Sequence, residues 1–196
     1  MTFEGIDGSG KSTQARLLAE ALAADGREVV LTREPGGTEL GERIRELILD
    51  GGDVAPWAEA TLFAAARAQL VEDVIAPALA RGADVVCDRY LDSSLAYQGI
   101  ARGLGLDRML ELNLYAIGGV LPDRTYLLLI DPEESARRLH EPSDRIERED
   151  AAFRVRVDQA YRELAAAFPQ RITAIDGTRP ADEIAGEILG GLRQPS

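Results

Sequence analysis

Cysteine, histidine and lysine are almost missing from this 196-residue sequence: each occurs once, as Cys87, His140 and Lys11. One cysteine excludes any intrachain disulfide and suits a reducing cytoplasm, which is the expected location. One cysteine and one histidine cannot build a zinc cluster. No Ser-His-Asp or Cys-His-Asn triad is available either, unless His140 joins it. Its neighbours Glu141, Pro142 and Ser143 read as a surface setting instead. Long apolar runs are also lacking. None approaches the ~18 residues a membrane helix needs, and Glu4 and Asp7 fall where the apolar stretch of a signal peptide would lie. Net positive charge is absent as well: the formal charge is −12. Such a chain repels polymeric phosphate, so no nucleic-acid polymer is expected as a partner, although a local cluster of arginines can still hold one phosphate.

What is present describes an ordinary globular chain. With 45% hydrophobic and 29% charged residues, the sequence can fill one core, and a single domain over 1–196 is expected. Of 22 basic residues, 21 are arginine. Whatever favours arginine elsewhere has not displaced the lysine at position 11.

Short apolar segments alternate with longer stretches of three- and four-residue apolar spacing, the mark of βαβ units and a parallel sheet. Strands are predicted at Thr2–Glu4, Glu28–Thr32, Asp84–Asp88, Thr125–Ile130 and Ile172–Asp176. Helices are predicted near 11–25, 39–49, 58–81, 107–118, 132–139, 147–168 and 181–192. Pro77 should kink or divide the third of these, because its ring removes a backbone donor.

Residues Gly5-Ile6-Asp7-Gly8-Ser9-Gly10-Lys11-Ser12 match G-x-x-x-x-G-K-[ST] in full, between a strand and a helix as the motif requires. The glycines let backbone N–H groups converge on phosphate oxygens, and the following helix adds the positive end of its dipole. The cradle therefore runs from Gly5 to Thr13 and is expected to take ATP. Lys11 would reach the β and γ phosphates, and Ser12 would offer its hydroxyl to Mg²⁺. A Gly-rich turn capped by Ser12 is the bland alternative. It would require the single lysine to acquire these neighbours by chance, roughly once in a thousand. Asp7 is a carboxylate inside an anion-binding loop. It makes sense if it faces Mg²⁺ or the acceptor, and otherwise it is a turn former. Asp88 closes an apolar strand where a Walker-B carboxylate would hold Mg²⁺ through water, a weak signal alone and a better one beside a full P-loop. The fold class is α/β: a P-loop NTPase three-layer sandwich, a five-stranded parallel sheet with helices on both faces.

Among P-loop proteins, the Asn-Lys-x-Asp motif of GTPases is impossible with Lys11 already used, and no Leu-Ser-Gly-Gly-Gln run marks a transporter ATPase. Small-molecule kinases remain. They need a second, anionic acceptor pocket. Thr32-Arg33-Glu34-Pro35-Gly36-Gly37 leaves the second strand at the edge where open α/β sheets bind ligands. Phe63 and Arg67 share a helical face, a ring and a guanidinium suited to a base, or alternatively a core residue and a solvated one. After Asp88-Arg89-Tyr90, helical spacing pairs Ser94 with Gln98 and Ser93 with Tyr97, which could line a base-and-sugar pocket. These residues point to a nucleotide-like acceptor without naming the base. Another nucleotide kinase on the same scaffold, or a nucleotide-operated switch, would share much of this pattern.

With these motifs, and with Leu62 to Arg67, Asp88 to Gly99, Pro122-Asp123 and Asp144-Arg145-Ile146-Glu147, the sequence resembles the thymidylate kinase family over nearly its whole length. The resemblance implies phosphorylation of dTMP to dTDP with ATP and Mg²⁺, a step in dTTP synthesis, by a homodimer. By the same resemblance Arg33, Arg45 and Arg89 hold the dTMP phosphate, and Phe63 stacks on thymine. Arg67, Ser94 and Gln98 read its edge, Tyr97 crowds the 2′ position, and Asp7 sits near the acceptor's sugar and phosphate. Some family members carry an arginine in the P-loop, where this chain has Gly8. Others supply it from a lid, here 137–148, and Arg138 and then Arg145 are the favoured residues. Both could instead be surface ion-pair partners of Glu134, Glu141 or Glu149. His140-Glu141-Pro142-Ser143 departs from relatives that carry more arginines there.

Overall fold

A computed structural model describes residues 1–139 and 144–193, so His140 and the departure at 140–143 lie outside the described residues. Five strands, β1 (Thr2–Glu4), β2 (Val29–Arg33), β3 (Asp84–Asp88), β4 (Thr125–Leu129) and β5 (Ile172–Asp176), pair in the order β2-β3-β1-β4-β5. Every pairing is parallel. The central strands are short and almost wholly buried, as expected where helices cover both faces of a sheet. Side-chain alternation divides the core. Phe3, Val86 and Leu128 face α1 (Lys11–Ala24) and α9 (Ala181–Arg193), while Val85, Cys87 and Leu127 face the remaining core on the other side. This order puts the chain reversal between β1 and β3, so the P-loop after β1 and the Asp88-Arg89 segment after β3 emerge side by side.

The predicted strands are present with ends displaced by no more than one residue. Three helical expectations change. The 58–81 stretch divides into α3 (Pro56–Leu70), a π-helical turn over Val71–Ile75 and α4 (Ala76–Ala80). Pro77 cannot donate to a carbonyl four residues back, and the wider turn just before it absorbs the break. The 147–168 helix begins later, as α8 (Ala151–Ala167), because Asp150 accepts from Phe153 N–H as an N-cap and residues before it are turns. Thirdly, residues predicted only to share a helical turn form a full element: α5 (Leu91–Ser94) runs into a π-helical segment over Leu95–Ala101. Thr38 caps α2 (Glu39–Leu49) and Asp131 caps α7 (Pro132–Arg138), and α6 (Leu106–Ala116) packs against α3. No described helix is long and apolar enough to cross a membrane.

One buried ion pair ties α5 to the sheet. Asp92 is fully buried, and Arg171, just before β5, meets both its oxygens at 2.5 and 2.7 Å, while Thr125 on β4 donates to it at 3.2 Å. Arg171→Met would leave that carboxylate uncompensated, at a cost of about 3–5 kcal/mol. Urea denaturation is expected to show this loss through a lower midpoint at unchanged slope.

Candidate active site

Gly5 begins the phosphate cradle at φ 138°, and an added Cβ would lie 2.4 Å from the Leu128 carbonyl oxygen, so only glycine lets the chain leave β1 here. The loop then enters α1 through Gly10, whose position offers no side-chain cap, and the first turn of α1 carries no acidic residue. Its N–H groups and dipole are thus left to an external anion. Lys11 is buried and donates from Nζ to the Ile6 carbonyl at 2.9 Å, with Asp7 at 3.7 Å. Burial, and next the charge of Arg89, lower its pKa to about 8. Ser12 donates to Asp88 Oδ2, while Asp88 Oδ1 is buried without a partner. A hydroxyl and an orphaned carboxylate oxygen at the mouth of a phosphate cradle fit Mg²⁺, which takes few protein ligands and completes its shell with phosphate and water.

Arg89 stands at φ 68°, an uncommon conformation for a residue with a side chain, just after β3. The turn aims its guanidinium back across the P-loop. It donates to Asp7 at 2.5 Å and to the Gly5 carbonyl, Ser93 Oγ and Tyr161 Oη at 3.1 Å each, and lies over the Tyr97 ring. Burial alone would raise the Asp7 pKa, but Arg89 and then Lys11 outweigh it and hold it at about 2. Behind this pair, Glu4 is fully buried and accepts from Tyr90 N–H, Ser93 Oγ and Tyr161 Oη, which fixes the start of α5 beneath the loop.

Beside the cradle opens a cavity of about 130 Å³, roughly ten times the room a single water needs. It brings together Asp7, Arg45, Phe63, Arg89, Ser93, Ser94, Tyr97 and Gln98, with Glu34, Pro35, Leu49, Asp144, Ile146 and Glu147 completing the wall. Four expected arginines are not on that wall. Arg33 is exposed, donates to the Pro35 carbonyl and pairs with Glu42 at 3.1 Å, beside Ser12 and Asp88 in a neighbouring depression. Arg67 is fully buried, donating to Glu34 from Nε at 2.7 Å with Nη2 2.6 Å from the same oxygen, to Ser94 Oγ and the Tyr90 carbonyl at 3.0 Å each, and to Asn113. Arg145 is turned onto α2 and α3, donating to the Ile48 carbonyl at 2.9 Å and to Glu59 at 2.5 Å. Arg138 does meet the cradle. It donates to the Gly8 carbonyl at 3.2 Å while pairing with Glu134, and a Cβ on Gly8 would lie 3.3 Å from Arg138 Cβ.

Comparison with known proteins decides among the small-molecule kinases. The family model described as thymidylate kinase matches residues 3–188. The chain belongs to the thymidylate kinase family. A protein named thymidylate kinase from Leifsonia xyli subsp. xyli is 53% identical over 192 residues, covering 96% of this chain and 91% of that one. Thymidylate kinase from Bifidobacterium longum strain DJO10A is 49% identical over 199 residues, covering 99% and 97%. The crystal structure of thymidylate kinase from Ehrlichia chaffeensis superposes with a TM-score of 0.81 at 34% identity, covering 98% and 97% of the two chains. Five parallel strands flanked by helices are the P-loop arrangement this thymidylate kinase fold shares.

Several residues that shape the site carried no sequence signal. Glu4, Tyr161 and Asn113 look like ordinary strand and helix positions, and their polarity matters only because packing buries them at the site. Glu34, inside the Arg-Glu-Pro-Gly-Gly run, and Asp144 and Glu147, inside another quoted motif, were within reach but had no role attached.

The depressed Lys11 pKa has a thermodynamic consequence. A polyphosphate in the cradle favours the ammonium form, so binding between pH 8 and 10.5 should take up a proton, and affinity should fall as pH rises through about 8. Calorimetric titration with tripolyphosphate at pH 8.5, in buffers of different ionisation enthalpy, is expected to show this uptake and to lose it in Lys11→Met.

Proposed function

We propose that this chain transfers the γ-phosphoryl group of ATP to dTMP, giving dTDP for dTTP synthesis. The observation that carries the reading is the Arg89–Asp7 contact, which sits where the P-loop meets the wall of the adjoining cavity, between the place for a donor and the place for an acceptor. Family membership supports the substrate.

In this reading the α1 N-terminus and Lys11 hold the donor phosphates, and Ser12 and Asp88 hold Mg²⁺, which would neutralise charge on the β and γ phosphates. The acceptor is already an anion, so no general base is needed. Phosphoryl transfer then rests on placement and on positive charge at the transferring group. Arg89, held rigidly by Gly5, Asp7 and Ser93, faces the acceptor phosphate together with Arg45. Arg33 joins them on releasing Glu42. Arg138 approaches from α7 at Gly8, where a P-loop arginine would otherwise be, and supplies the lid charge, while Arg145 anchors the end of that segment. Phe63 stacks on thymine, Ser94 and Gln98 face its edge, Arg67 fixes Ser94 and Glu34 from behind, and Tyr97 crowds the 2′ carbon. We also propose a homodimer. Exposed Leu114 and Tyr115 on α6, which packs beside α3, support an apolar contact face.

ADP release measured with ATP–Mg²⁺ against dTMP, dUMP, dCMP, dGMP, UMP and thymidine tests the assignment. Clear preference for dTMP is expected, and turnover of a different acceptor alone would overturn it. Arg138→Ala should lower kcat by about 10²–10³-fold with little change in the KM for dTMP, as for loss of one charge-stabilising donor. Arg145→Ala should instead lower thermal stability more than kcat.

A further inference from the structure

Glu59, in the first turn of α3, takes no part in the reaction described above, yet it is only 1% exposed and receives donors from two other segments, the π-helical stretch with its cap and the turn at Arg145. Arg102 donates to it from Nε at 2.9 Å and from Nη2 at 3.1 Å, Arg145 from Nη2 at 2.5 Å and Gln98 from Nε2 at 2.8 Å. Burial on its own would raise its pKa, but the hydrogen bonds from Arg102, Arg145 and Gln98 bring it below the ordinary value, so Glu59 is a carboxylate. An ionised carboxylate only accepts hydrogen bonds.

That restriction fixes a neighbouring group. The amide of Gln98 has a donor end and an acceptor end of nearly the same shape, and only its surroundings decide which end points where. Facing a carboxylate held by two arginines, Gln98 must present its NH₂. Its carbonyl oxygen is then the end left for the cavity that Gln98 lines. A buried carbonyl wants an N–H from its ligand, and a ligand acceptor placed there would leave two lone pairs opposed in a dry site. Thymine and uracil carry an N–H at ring position 3, whereas cytosine carries an acceptor nitrogen there.

We infer that Glu59 is a positioning residue that sets the base preference of the acceptor site by locking the Gln98 amide with its carbonyl toward the cavity. The inference rests on the dTMP reading above and deepens it: discrimination against cytosine nucleotides originates in a carboxylate behind the pocket wall.

Glu59→Gln removes the restriction. Arg102 and Arg145 would claim the new amide's oxygen, its NH₂ would face Gln98, and Gln98 would turn to offer its own NH₂ to the cavity. The ratio of kcat/KM for dTMP to that for dCMP is expected to fall by at least about tenfold in this variant, with the KM for ATP unchanged. Arg102→Met loosens the same ion cluster but leaves the carboxylate facing Gln98, and it should keep the wild-type ratio. A ratio retained within about twofold in Glu59→Gln, or lost equally in Arg102→Met, would overturn the inference, since a purely structural role lowers both substrates together. Should Glu59→Gln not fold, the side-chain NH₂ resonances of Gln98 in the wild type, assigned by their loss in Gln98→Leu, give the answer. They should stay protected from solvent exchange with and without dTMP, and rapid exchange in either state would refute the lock. Failure of the wild type to turn over dTMP would instead sink the substrate assignment.

Discussion

The guanidinium of Arg89 donates to groups from the P-loop, α5 and α8, and the distance between the phosphate cradle and the cavity is set by how firmly it is held. Its backbone takes a left-handed conformation that costs of order 1–3 kcal/mol, and packing around Glu4, Ser93 and Tyr161 sustains it. Released from that turn, the same arginine would continue along the line of β3, and Asp7 would lose the partner that keeps it ionised inside an anion-binding loop. The P-loop glycines, the Asp88 carboxylate and the wall of the cavity therefore form one construction rather than two adjacent sites.

Electrostatic layering explains how an acidic chain can bind anions. The arginines of the site are not bare. Arg67 is matched by Glu34, Arg89 by Asp7, Arg102 and Arg145 by Glu59, and Arg33 by Glu42. Pairs deep in the fold, such as Arg67 with Glu34, are closed off from solvent and act as struts. Pairs nearer solvent, such as Arg33 with Glu42, keep their charge within reach of a ligand phosphate that competes with the carboxylate.

Much of this was legible in the sequence because it depends on local rules. The glycine spacing before Lys11 specifies a loop and a helix start, the apolar runs specify buried parallel strands, and helical spacing places Ser94 near Gln98. What was hidden depends on which face of an element turns inward. Arg67 and Phe63 are neighbours on α3, yet one is a buried strut and the other lines the cavity, a split that periodicity cannot assign. Arg138 ranks ahead of Arg145 in the sequence reading, and only tertiary packing separates their roles, sending Arg145 to Glu59 and Arg138 to Gly8. The start of α8 was misplaced because the turn capped by Asp144 has a composition that also suits a helix.

The π-helical segment over Leu95–Ala101 gives the acceptor pocket an unusual dependence on chain length. A π turn holds one residue more than an α turn, so Tyr97 and Gln98 face the cavity by virtue of an extra residue in their coil. Removing one residue between Leu95 and Ala101 would close the wide turn to α geometry, leaving the flanking turns in register and changing which side chains between them face the cavity. Substitutions in this stretch can be tuned one at a time, but its length is quantised. Divergence in acceptor preference on this scaffold is thus open to changes of side chain and closed to single-residue deletions.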